Sequence, residues 1–91
     1  MRYKNWTGKK ILIAEDIHVN FILLEAILKG TNVDLVWAKN GKEAVEICIK
    51  NDDIDLVLMD INMPEMNGLE ATAEIRKHKK NLPVIAQTAY E

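Results

Sequence analysis

The segment LVLMDINMPEMNG, Leu56 to Gly68, ends an apolar run on an aspartate, Asp60, with Asn, Met, Pro and Gly behind it. Taking an ionised carboxylate out of water is costly unless something pairs with it, so Asp60 either caps a turn or performs chemistry. Two more carboxylates, Glu15 and Asp16, end a second short apolar run, KILIA, and a hydroxyl, Thr88, follows a third, LPVIAQ. Three carboxylates at one place repel one another and raise at least one pKa. A divalent cation removes the difficulty, and Mg2+ suits hard oxygen ligands in an octahedral arrangement that keeps several waters. Asp16 and Asp60 are the expected direct ligands, with Glu15 reached through water and the backbone carbonyl of Asn62 completing the protein's share. Asp60 would then be a nucleophile toward phosphorus, since aspartyl phosphates are an established covalent strategy, and Thr88 would hydrogen-bond a phosphate oxygen.

These residues meet only if the intervening chain brings them together. Residues 10–14 read as a buried strand, 18–29 as a helix with Ile17, Phe21, Leu24 and Leu28 on its inner face and Gly30 as its stop, and Val33 to Ala38 as a second strand. Asn40-Gly41 reads as a turn, residues 42–50 as a second helix, Ile54 to Met59 as a third strand, a third helix opens at Gly68, and Leu82 to Gln87 form a fourth strand. Strands alternating with helices imply parallel units with right-handed crossovers. Ligands bind such sheets outside the carboxyl ends of the strands. Glu15, Asp16, Asp60 and Thr88 all fall at those ends.

The composition, 48% hydrophobic and 29% charged over 91 residues, fits one globular domain. A net charge of −2 offers no field for a polyanion, so nucleic acid is not an expected partner. The single cysteine, Cys48, excludes an internal disulfide framework and a cysteine-built zinc site, and reads as a small core residue. No apolar run reaches the roughly 18 residues of a membrane span, and residues 1–9 read as a polar leader or linker, so a cytoplasmic setting is expected, with any membrane anchor elsewhere in a parent protein.

ILIAED, LVLMDINMPEMNG and PVIAQTA, in this order from about Lys9 to Tyr90, together resemble the receiver domain of two-component response regulators. The resemblance implies a flavodoxin-like, doubly wound α/β fold with strand order 2-1-3-4 over residues 10–91. It implies phosphoryl transfer to Asp60 from a phosphohistidine of a histidine kinase or histidine phosphotransfer domain. It also implies Mg2+ at Glu15, Asp16, Asp60 and Asn62, and a switching role for Thr88. The lead-in NWTGKKILIAED resembles the junction before receivers of hybrid sensor kinases. The family's fifth strand, with its lysine, and its fourth and fifth helices have no counterpart here; Lys77, Lys79 and Lys80 stand at the wrong end of the sheet. Two expectations follow: slowed phosphorylation, and a homodimer formed through the open edge of strand four or by exchange of elements.

Two other readings compete, one an enzyme and one an electron carrier. A haloacid-dehalogenase-like phosphatase also uses a strand-end aspartate with Mg2+, but wants a carboxylate two residues later, where Asn62 stands. An electron-transfer flavodoxin wants a hydroxyl- and glycine-rich phosphate loop, where IAEDIHVN offers acids. Of the remaining features, Asp16 doubles as a helix N-cap candidate, and Asn20 as a residue that orders the acidic cleft. His18 and His78 read as surface residues, Trp6 and Trp37 as packing, Met59, Met63 and Met66 as core or loop filler, and RKHKK (76–80) as a solvated helix end.

Overall fold

In the computed structural model, residues 5–87 are described. Four strands, β1 (Lys10–Ala14), β2 (Asp34–Ala38), β3 (Leu56–Asp60) and β4 (Val84–Gln87), form one parallel sheet in the order β2-β1-β3-β4. Helices α1 (His18–Leu28), α2 (Gly41–Lys50) and α3 (Gly68–His78) make the crossovers. This is the flavodoxin-like order that the sequence implies. Side chains alternate across each strand, so β1 feeds two cores. Leu12 and Ala14 face α2 and α3 with Ala44, Cys48, Val57, Met59, Met63, Ala71 and Ile75, while Ile11 and Ile13 face α1 with Phe21. Cys48 is buried, as expected, and burial pushes its thiol up to about 11, where it stays protonated.

Capping chemistry explains α2 and α3. The Asn40 side chain accepts from the Glu43 N–H at 2.8 Å, so Asn40-Gly41 is a helix start as well as a turn. Asn67 and Glu70 form a reciprocal capping box at the head of α3 (3.0 and 2.9 Å). Asn67→Ala should cost about 1 kcal/mol, seen as a fall of about 4–8 °C in the thermal midpoint for a domain of this size.

The start and stop of α1 differ from the sequence reading. Its N-cap is Ile17, without a side-chain cap, so Asp16 does not serve that purpose. Gly30 does not stop it either: the chain tightens into a 3-10 turn, Lys29–Thr31, with the Thr31 hydroxyl donating to Leu28 O (2.7 Å), and the left-handed position falls on Asn32 (φ 63°). Ile17 is exposed rather than inward, as are Val19, Ile22, Leu23 and Ile27. Apolar residues run all round this helix, so periodicity alone does not single out its inner face. Residues 5–9 carry no helix or strand, yet Trp6 packs on the second core and its N–H donates to Thr31 O (2.6 Å).

The amino edge of the sheet is closed by charge pairs, Lys10 with Asp53 (2.6 Å) and Lys79 with Asp52. Lys79 is therefore remote from the carboxyl edge, as expected. No helix among the described residues is long and apolar enough to cross a membrane.

Candidate functional site

The carboxyl edge is assembled by strand register. Ala14 pairs with Ala38 on one side and Met59 on the other, which sets the next residue of β1, Glu15, beside the last of β3, Asp60. Asp60 pairs with Gln87. The Glu15 N–H extends the ladder to Ala38 O (2.9 Å) and the Ile61 N–H extends it to Gln87 O (2.8 Å), so both acidic residues sit on paired backbone. Glu15 and Asp60 are each only 4% exposed, while Asp16 is open to solvent. One carboxylate oxygen from each of the three lies within 4.8 Å of the others. The sequence-predicted trio thus converges; Thr88, the residue after Gln87, lies outside the described residues.

The loop behind Asp60 is folded back tightly. Asp60 Oδ1 accepts from the Asn62 N–H at 3.1 Å, so the turn-capping role holds alongside any chemistry. The Gly68 N–H returns to Ile61 O (3.0 Å), Met66 N–H to Pro64 O (2.8 Å), and Glu65 takes a left-handed φ of 66°. Met63 plugs the loop into the first core. Gly68 matters here because backbone packs directly against it. A Cβ at this position would overlap the Asp60 carbonyl oxygen and come within 2.8 Å of Ile61 Cα. Gly41, likewise, leaves room for the Met66 carbonyl.

Burial is the largest influence on Glu15 and pushes its carboxyl above the ordinary 4.5; the charge of Asp60 adds to this, while the Ile17 N–H (3.3 Å) and the Asn20 side chain pull the other way. A carboxyl whose folded pKa is raised binds protons more readily in the folded state, so stability falls as pH rises from about 4.5 through the folded value. Without divalent cation, Glu15→Gln should remove that loss and raise the thermal midpoint at pH 7 relative to the native protein. Melting curves of the two proteins from pH 4 to 8 isolate the effect as a difference.

Sequence reasoning missed Trp37 at this edge. Its indole N–H donates to the Glu15 carbonyl at 2.7 Å, and His18, expected as a bare surface residue, stacks on the indole with ring centres 4.6 Å apart. No spacing rule signals a bond between residues 22 positions apart.

The family described as the response regulator receiver domain matches residues 11–91. Among curated proteins, the autoinducer 2 sensor kinase/phosphatase LuxQ of Vibrio parahaemolyticus is 41% identical over 81 residues, covering 88% of this chain and 9% of its own length. Among solved structures, the response regulator TrrA of Thermotoga maritima, in complex with Mg(2+)-BeF, is 38% identical with a TM-score of 0.84, covering 91% of this chain and 71% of that one. TrrA has also been solved in complex with the histidine kinase ThkA. The receiver domain of the sensor histidine kinase PA1611 of Pseudomonas aeruginosa, with a magnesium ion in its active-site cleft, is 33% identical with a TM-score of 0.82, covering 88% of this chain and 66% of that one. The chain spans a tenth or less of the length of the curated relatives it matches.

Proposed function

The chain belongs to the response regulator receiver domain family, and on that premise we propose that Asp60 accepts a phosphoryl group from a phosphohistidine, with Mg2+ held at the acidic edge. The observation that carries this is the convergence of Glu15, Asp16 and Asp60 within 4.8 Å at the carboxyl edge of the sheet. The donor set fits the ion: hard carboxylate oxygens, two of them on buried residues. Octahedral Mg2+ with oxygens at about 2.1 Å spans about 4.2 Å between opposite ligands. Asp16 and Asp60 would hold it directly, Glu15 through water, and the Asn62 carbonyl would complete the protein's share. Bound there, Mg2+ would neutralise charge between Asp60 and the incoming phosphoryl group.

A carboxylate oxygen of Asp60 attacks phosphorus; the P–O bond forms as the P–N bond to the imidazole breaks, and the imidazole nitrogen takes a proton from solvent. Thr88 donates its hydroxyl to a phosphoryl oxygen and follows the new charge, the local event that biases the domain between two states. The donor is a histidine kinase or histidine phosphotransfer domain, a partner class supported by the TrrA–ThkA complex. The parent is a hybrid sensor kinase, a reading supported by 47% identity over 73 residues with the hybrid signal transduction histidine kinase B of Dictyostelium discoideum. The phosphatase alternative wants a carboxylate at position 62, which holds Asn62.

Incubation with a radiolabelled phosphohistidine donor and Mg2+ tests the reading. The expected product is a hydroxylamine-labile acyl phosphate that maps to Asp60 and is lost on chelation. Label on another residue, or label independent of divalent cation, would overturn it. Among the described residues β4 pairs on one side only, with Ile85 52% exposed, which supports self-association of this 91-residue chain by strand pairing or element exchange; a monomeric mass by light scattering at high concentration would refute that part alone.

A further inference from the structure

Trp37 lies on β2, yet its side chain acts on the end of β1. The indole N–H donates to Glu15 O at 2.7 Å, and the neighbouring residue, Ala38, accepts from Glu15 N at 2.9 Å. Both backbone polar groups of Glu15 are therefore held by consecutive residues of β2. The held carbonyl belongs to the peptide that joins Glu15 to Asp16. Holding that peptide plane restrains the last torsion of Glu15 and the first of Asp16, and with them the Cα–Cβ directions from which the two carboxylates extend. Asp16 is exposed, so its aim rests on its backbone.

The indole is itself in contact with three side chains. His18 stacks on it at 4.6 Å and 12°, Phe21 at 5.1 Å and 15°, and Lys39 Nζ lies 5.6 Å from the ring. The first turn of α1 and the exit of β2 thus grip one side chain whose single polar atom is directed at the Glu15–Asp16 peptide. A tryptophan that served packing alone would be equally well seated with any apolar ring of its size.

We propose that Trp37 is a positioning residue for the acidic edge, setting the Glu15–Asp16 pair for Mg2+. The inference rests on the metal reading given above. Its test replaces Trp37 by the isostere β-(3-benzothienyl)alanine, which keeps the bicyclic ring and deletes the N–H. By calorimetry, Mg2+ affinity should fall about 3- to 10-fold, less than the 10–100-fold usual when a supporting bond to a ligand side chain is lost, because this bond reaches the ligands through backbone. Leu82→Ala, in the first core near the amino edge, is the stability control: it should lower the thermal midpoint and leave Mg2+ affinity unchanged. In Trp6→Phe, where Trp37 is the sole tryptophan, emission should change with the same Mg2+ midpoint that calorimetry gives. Affinity of the isostere variant within twofold of the native protein, or an equal loss in Leu82→Ala, would overturn the role of Trp37 while leaving the metal site standing. Failure of the native protein to bind Mg2+ would overturn the metal reading and this inference with it.

Discussion

Asp60→Asn should accept no phosphoryl group from any phosphohistidine donor, while folding at least as stably as the native protein. An amide nitrogen and a neutral amide oxygen are both poor nucleophiles toward phosphorus, so the loss is complete rather than partial. The fold has no reason to suffer. The substitution keeps an oxygen to accept the Asn62 N–H, so the turn behind β3 survives. It also removes one of two buried charges from an edge where Asp60 and Glu15 are each 4% exposed and Asp60 pushes the Glu15 carboxyl upward. Without Mg2+ the thermal midpoint should therefore rise. With Mg2+ the order should reverse, since a ligand that binds only the folded state stabilises it and the variant has lost a carboxylate ligand. Labelling and paired melts with and without Mg2+ check both halves. Residual label at the native level would remove Asp60 from the chemistry, and a lower midpoint without Mg2+ would show the carboxylate to be structural.

Gly68→Ala should be the most damaging single-methyl change at this edge. The added Cβ overlaps the Asp60 carbonyl oxygen and crowds Ile61 Cα at 2.8 Å and the Asp60 carbonyl carbon at 2.9 Å, all of it backbone. Asp60 is paired with Gln87, and the Ile61 N–H is bonded to Gln87 O, so this backbone gives way only by breaking the β3–β4 ladder. A cost of about 2–4 kcal/mol is expected, within the range of severe packing errors. Gly41→Ala is the informative comparison. Its Cβ overlaps the Met66 carbonyl, which belongs to a loop rather than to a strand, so it should cost less. Urea unfolding of both variants decides the order. Gly68→Ala should also lose Mg2+ affinity through displacement of Asp60, whereas Gly41→Ala should keep most of it. Equal stability losses would show the β3–β4 end to be as compliant as the loop.

The acidic edge was legible because its signals are local. An apolar run of five or six residues followed at once by a carboxylate marks a buried strand with a chemical tip, whatever the rest of the chain does. Leu12, Ile13, Val57 and Met59 are fully buried for that reason. The alternation of elements then placed Glu15, Asp16 and Asp60 together, since in a parallel sheet every carboxyl end faces one way. Asn40 read only as part of a turn, and its capping of α2, like that of Asn67 on α3, emerged with the folded chain.

What the sequence could not determine depends on distances between remote segments. The helical spacing of Ile17, Phe21, Leu24 and Leu28 predicted α1 but misplaced Ile17, because burial is decided by what packs against a helix and not by its own pattern. The stop at Asn32 in place of Gly30 came from the Thr31 hydroxyl and the docking of Trp6, both set by tertiary neighbours. Gly68 reads from the sequence as the opening of α3, but only the folded chain shows the Asp60 backbone pressed against it. Trp37 is the clearest case. Residue type and strand alternation marked it as packing; the bond from its indole to Glu15 exists because parallel pairing of β1 with β2 sets their carboxyl ends side by side, and a register along a ladder has no counterpart in one-dimensional order.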